Sequence, residues 1–232
     1  MNRLIDTRYN FFWLAGALVF LMFIEAVVAQ FDWREAQRLV NITLFVTIVI
    51  AVWSVGSAGG SRWMNWKIGM SFIIAILMIS DSIIESNFLA VYQLACCFLF
   101  LSFTLYICWR QVMFSGDIDG NKIVGAICIY ILLGLIWAFA YLLMQEVFPG
   151  SFVISEDDTW QHNLGDAVYF SMVTLTTLGY GDITPQEPVV RFMSYLEAVT
   201  GVFYTTVLVA SLIGIRLAHY SDKLTRDMAA DE

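Results

Sequence analysis

The sequence predicts an all-α membrane protein: six transmembrane helices, with a short re-entrant helix and an extended loop between the fifth and the sixth. Three observations carry this expectation. Hydrophobic residues make up 59% of the 232-residue chain and charged ones 14%, against about 25% charged in soluble domains. Six apolar segments, roughly 11–30, 39–58, 67–85, 88–109, 122–147 and 189–217, come close to or exceed the about 20 residues that cross a bilayer as a helix. A seventh, about 165–176, is too short to cross and runs into Gly179, Tyr180, Gly181 and Asp182.

The first segment is followed by Gln30, Phe31, Asp32 and Trp33 rather than by a small-residue cleavage site. It therefore reads as a retained helix, which places the chain in a plasma or inner membrane. Charge orients the spans. With both termini cytoplasmic, Arg3, Arg8, Arg62, Lys67, Arg110, Lys122, Arg216, Lys223 and Arg226 face the cytoplasm, and only Arg34, Arg38 and Arg191 face out. That asymmetry follows the positive-inside rule and puts the re-entrant loop on the outer side. Glu25 and Asp81 lie near the outer ends of the first and third spans, where carboxylates snorkel to the interface or pair with Arg34 or Arg38. The fourth span, Phe88 to Trp109, holds no basic residue before Arg110. Cys96, Cys97, Cys108 and Cys128 sit in or beside apolar segments and read as small buried hydrophobes.

A polar break at Ser115 to Asn121 divides the chain. Residues 1–114 form a peripheral four-helix domain, 115–220 a second domain with two spans and the re-entrant segment, and 221–232 a short cytoplasmic tail. In the re-entrant segment, Asn163 or Asp166 suits the cap of the short helix, where a carboxylate meets the positive end of the helix dipole. The two glycines flanking Tyr180 reach backbone conformations that a Cβ forbids, so consecutive carbonyls can be held on one side.

The stretch Asp166 to Asp182, Asp-Ala-Val-Tyr-Phe-Ser-Met-Val-Thr-Leu-Thr-Thr-Leu-Gly-Tyr-Gly-Asp, is similar to the pore loop of voltage-gated potassium channels. Leu178 stands where the common filter pentad has valine. The resemblance implies a potassium channel in which Thr177, Leu178, Gly179, Tyr180 and Gly181 form the selectivity filter. Thr177 contributes carbonyl and hydroxyl oxygens to the innermost K+ site, and Leu178, Gly179 and Tyr180 contribute carbonyls. Asp166, Tyr169, Phe170, Val173, Thr176 and Asp182 then support the filter: the two aromatics as a bracing cuff, Asp182 pointing back beside it. Val173 occupies a position where some bacterial channels carry glutamate. Because one chain offers one filter strand, the resemblance also implies a homotetramer.

By the same resemblance the sixth span is the inner helix. Gly201 lies nineteen residues past Asp182, where many potassium channels carry a hinge glycine; close approach of a neighbouring helix explains such a glycine equally well. Val202, Thr205, Val209, Ile213 and Leu217 share one helical face that can line a cavity, and with Gly214 they mark the hinge or gate region. Glu197 lies deep in this helix, within a Leu-Glu-Ala-Val run resembling bacterial inner helices. A carboxyl there must face protein or water, and a hydrogen bond to the pore helix is expected. Without sensor arginines in the fourth span, opening is expected to depend little on voltage. Glu146, Glu156, Asp157, Asp158 and His162 are expected near the outer mouth, where acidic residues concentrate cations.

Several classes are disfavoured. The net charge of −8 argues against nucleic acid. No His-rich set, Ser–Lys dyad or nucleotide loop suggests an enzyme or a cofactor. A non-selective cation or leak channel and, more remotely, a membrane transporter remain as alternatives; inverted-repeat transporters have two similar halves, and these halves do not match.

Overall fold

The computed structural model describes residues 10–31, 36–56, 61–81, 87–114, 120–152 and 160–230. Within them seven helices follow one another: α1 (Asn10–Phe31), α2 (Ala36–Gly56), α3 (Ser61–Asp81), α4 (Asn87–Phe114), α5 (Gly120–Val147), α6 (Trp160–Leu175) and α7 (Pro188–Ala230). The described residues of each of the six apolar segments fall on a helix, and α6 is the short one before the Gly-Tyr-Gly run. Asn10–Val28, Phe88–Met113 and Gly120–Val147 are long and apolar enough to cross a membrane; Leu39–Ser54 and Asn65–Ser80 are shorter apolar helices.

The first four helices pack in sequence, α1 on α2, α2 on α3 and α3 on α4, and the bundle joins the rest mainly through α4 and α1 against α5. On α1 the buried face is Leu14, Leu18, Leu21, Glu25 and Val28, the three- and four-residue spacing of a helical stripe. The Phe11 amide donates to Asn121 Oδ1 (3.3 Å), and the Cys128 thiol to the Phe11 carbonyl (3.4 Å), pinning the start of α1 to α5. Helix α6 rests against α5 and α7 and also touches α1 and α2. It is therefore cradled by the protein, the condition for a helix end at membrane depth.

Expectations are corrected at the start of α6, at Lys67 and at Glu25. Helix α6 begins at Trp160, so Asn163 and Asp166 lie inside it and neither caps it. The apolar positions Trp160, Leu164 and Ala167 are buried at helical spacing, with Ser171 on the same face, and this extends the helix through polar neighbours. Helix α7 continues past Leu217, the end of the apolar segment, to Ala230. Lys67, expected among the charges that face the cytoplasm, lies inside α3. It is fully buried on α3, its Nζ donating to the Ala51 carbonyl (3.3 Å) and lying 6.0 Å from the centre of the Phe100 ring. Glu25 is likewise 3% exposed, which removes the snorkelling explanation; Arg34, with the side chains of Arg38 and Asp81, lies outside the described residues.

Candidate functional site

Helix α6 ends by turning its chain back on itself. Thr176 caps it, its hydroxyl donating to the Met172 carbonyl (2.6 Å). The Thr177 amide donates to the Thr174 carbonyl (2.9 Å), and both Leu178 N (2.9 Å) and Gly179 N (3.4 Å) donate to the Val173 carbonyl. Such multiple bonding to one late carbonyl is how a helix C-terminus releases an extended segment. Val173 thus supports the loop through its backbone.

Beyond that turn φ is positive at every second residue: Thr177 (61°), Gly179 (56°) and Gly181 (81°). Alternating backbone handedness turns successive peptide planes the same way, so carbonyls that would alternate along a β-strand can share one side. Glycine adopts this region freely; a β-branched residue does not, and such outliers concentrate at functional sites. Thr177 is the only non-glycine with positive φ among the described residues. The loop is open to solvent in the single chain, with Leu178 59% and Tyr180 68% exposed.

Beside the loop the Tyr169 hydroxyl donates to Asp182 Oδ2 (2.7 Å). This bond holds the Asp182 carboxyl below its usual range and, in the same way, pushes the Tyr169 phenol up to about 12. Asp166 lies on the exposed side of α6, yet the surrounding protein raises its carboxyl; His162 opposes that shift and Asp182 adds to it. Tyr169 and Asp182 are therefore brought together, and Asp166 lies within electrostatic reach.

Phe170 faces the other way. It joins Tyr141 and Phe152 in a mutual edge-to-face cluster, with ring centres 5.1, 5.1 and 5.2 Å apart, and such pairs add stability beyond their buried area. Phe152 also bridges to Pro185, and the Gln186 amide donates to the Ser151 carbonyl (2.8 Å). The segment after the loop is thereby tied to the end of α5.

Glu197 is fully buried behind α6. The Tyr141 hydroxyl on α5 meets its Oε2 at 2.5 Å, and Ser171 Oγ on α6 meets its Oε1 at 2.5 Å. Ser171 Oγ also donates to the Gly134 carbonyl of α5 (2.7 Å). One carboxyl thus joins three helices. One turn further along α7, a Cβ on Gly201 would stand 2.0 Å from the Leu175 carbonyl oxygen; only glycine lets α7 come so close to the end of α6. That carbonyl also accepts the Tyr130 hydroxyl (3.2 Å). Gly134 has a similar role, since its Cβ would meet the Met172 side chain at 2.4 Å.

The other expected residues do not gather here. Thr205 is exposed and its hydroxyl bonds to the Gly201 carbonyl (3.0 Å), while Gly214 has open space around it. The side chains of Val209, Ile213 and Leu217, and all of Glu156, Asp157 and Asp158, lie outside the described residues. Sequence reasoning missed Ser171, Tyr141, Tyr130 and Phe152. A serine flanked by apolar residues on a short helix is a weak signal that it faces a buried acid, and the tyrosines look like ordinary membrane aromatics.

Residues 125–216, under half of the chain, match the family model described as "Ion channel". Two pore potassium channel c of Oryza sativa subsp. japonica is 36% identical over 87 residues, 36% of this chain and 19% of that protein. Two-pore potassium channel 2 of Arabidopsis thaliana is 29% identical over 93 residues, 40% of this chain and 18% of that protein. A voltage-gated potassium channel of Aeropyrum pernix is 30% identical over 88 residues, 38% of this chain and 26% of that protein. The chain thus spans about a quarter or less of the length of these relatives. No solved structure matches the chain. Together with the apolar helices, these matches support a multi-pass membrane protein of the potassium-channel superfamily.

Proposed function

We propose that four copies of this chain form a potassium-selective channel in which the carbonyls of Thr177, Leu178, Gly179 and Tyr180, with the Thr177 hydroxyl, replace the hydration water of K+. The observation that carries this reading is the alternation of positive φ at Thr177, Gly179 and Gly181, directly after a short helix whose C-terminal end leads into the loop. That end carries the negative pole of the helix dipole, and four of them would favour a cation at the centre of the assembly. The exposed loop and the apolar side chains Phe192, Tyr195, Val199 and Phe203 along α7 are consistent with surfaces that close against other copies.

The chain crosses the plasma or inner membrane six times, with both termini cytoplasmic. Helix α4 has no basic residue before Arg110, and each elementary charge crossing the field contributes only about 2.3 kcal/mol per 100 mV. Opening is therefore shallow in voltage. Purified protein in liposomes tests the reading: a K+ gradient should set a reversal potential that an equal Na+ gradient does not, with a shallow conductance–voltage relation. Equal passage of both ions would identify a non-selective or leak channel, and steep voltage dependence would remove the gating part alone.

A further inference from the structure

Glu197 has a proton count that does not balance if it is ionised. Ser171 has one hydroxyl proton and two oxygens within hydrogen-bond distance: the Gly134 carbonyl at 2.7 Å and Glu197 Oε1 at 2.5 Å. The carbonyl can only accept, and an ionised carboxylate can only accept. With Ser171 donating to Gly134, a carboxylate at Oε1 would face a bare hydroxyl lone pair at very short range, with no proton between them. The other carboxyl oxygen already receives the Tyr141 proton. A proton on Oε1 resolves the conflict: Glu197 donates to Ser171, Ser171 to Gly134 and Tyr141 to Glu197, so every donor has one acceptor.

The surroundings agree with a neutral group. Glu197 is fully buried, and an unpaired buried charge is expensive while a fully satisfied neutral network is not. From α5 the titratable groups that face it are Tyr141, in contact, and Tyr130, further along. Helix α6 offers Ser171, and among the described residues no cation acts on Glu197 from any of the three helices.

We propose that Glu197 carries a proton and, as a neutral carboxylic acid, is the positioning residue that locks the inner helix to the pore helix through Ser171. Ser171 lies two residues before Val173, whose carbonyl holds the amides of Leu178 and Gly179, so this lock sets where the filter loop begins. The consequence for conduction rests on the channel reading above; the proton itself does not.

Infrared spectroscopy of the protein in liposomes at neutral pH separates the two. The wild-type spectrum minus that of Glu197→Gln should contain a carboxylic-acid carbonyl band that shifts in heavy water. A difference containing only carboxylate bands overturns the proposal. Should Glu197→Gln fail to assemble, Ser171→Ala serves instead: loss of the acceptor should move the acid band to higher frequency, and an unchanged acid region overturns the proposal. In potassium flux, Glu197→Gln should stay near wild type, because a carboxamide can donate to Ser171 and accept from Tyr141. Glu197→Ala, which leaves both hydroxyls without their partner, should lose about tenfold. A glutamine variant as impaired as the alanine variant overturns the positioning role. Absence of potassium flux in the wild type defeats the channel reading and leaves the infrared result to stand or fall alone.

Discussion

Two carboxyls are buried in this chain to nearly the same degree, and their surroundings differ. Glu197, in the domain that holds the filter loop, meets a hydroxyl at each oxygen. Glu25, in the peripheral bundle, has an Oε1 without a hydrogen-bond partner among the described residues. Among the described residues, buried polar atoms without a partner recur in the bundle at Asn41 Oδ1 on α2 and at both amide atoms of Gln93 on α4. Counting residues from the helix ends, all three side chains lie about 8 to 9 Å in from the end of their helix on the side where α1 turns to α2 and α4 begins. Lys67 is a fourth buried polar group of the bundle, and it keeps a single hydrogen bond at 3.3 Å. In the filter-bearing domain Glu197 closes a network across three helices, although Trp160 Nε1 on α6 is also buried without a partner among the described residues; Glu25 Oε1, Asn41 Oδ1 and the Gln93 amide join no such network. A fully satisfied network specifies one geometry, whereas isolated buried polar groups weaken a fold.

The strongest way to break this contrast is to separate α7 from α6. Gly201→Ala should be the most damaging single change, because the added Cβ meets a backbone oxygen at 2.0 Å and a helix end cannot move aside as a flexible side chain can. A loss of about 3 kcal/mol or more is expected in chemical unfolding in detergent, together with loss of assembly. Wild-type stability in that variant would mean that the close approach is not required.

A paired substitution sharpens the comparison directly. Glu197→Leu should destabilise by about 1–3 kcal/mol, since Ser171 and Tyr141 lose a buried partner. Glu25→Leu should be neutral or stabilising by about 1 kcal/mol, because it removes a desolvated oxygen that has no partner among the described residues. The melting temperature should fall in Glu197→Leu and should hold or rise in Glu25→Leu; equal losses would show that Glu25 has a partner of comparable worth.

The smallest effect is expected at the exposed edge of the filter loop. Tyr169→Phe removes the hydrogen bond to Asp182, and the Asp182 carboxyl should rise toward the ordinary aspartate range in an NMR titration, with little change in stability. The sign follows from the bond. A carboxyl held low keeps its interaction at neutral pH and loses it as pH falls through the lowered value, while Tyr169 keeps its proton until about pH 12. The contact therefore persists at every pH between those limits.

Much of this domain was legible before any coordinates. The short helix and the glycine spacing of the loop are local properties, so α6 and the positive φ at Gly179 and Gly181 appear where the residues suggested. The errors also have local causes. A cation at the first residue of an apolar segment reads as a cytoplasmic charge, yet α3 begins six residues earlier, at Ser61, and carries Lys67 into the bundle. The start of α6 was placed too late because Gln161, His162 and Asn163 look like loop residues, yet Trp160 and Leu164 bury their side chains and carry those residues into the helix. Ser171 and Tyr141 escaped notice because nothing within their own segments distinguishes them; each acquires its meaning from a residue at least 26 positions away.

By itself the sequence determined where apolar runs form helices, where one is too short to cross, and where glycines permit a backbone of alternating hand. Those outcomes depend on hydrophobic length and on the steric limits of single residues, which act over a few positions. The tertiary structure alone decided that Glu197 is clasped while Glu25 is not, that Gly201 serves the approach of two helices, and that Lys67 is buried. Such outcomes depend on which surfaces meet across the fold, and a hydrogen bond or a steric contact exists only once distant helices stand within a few ångströms of each other.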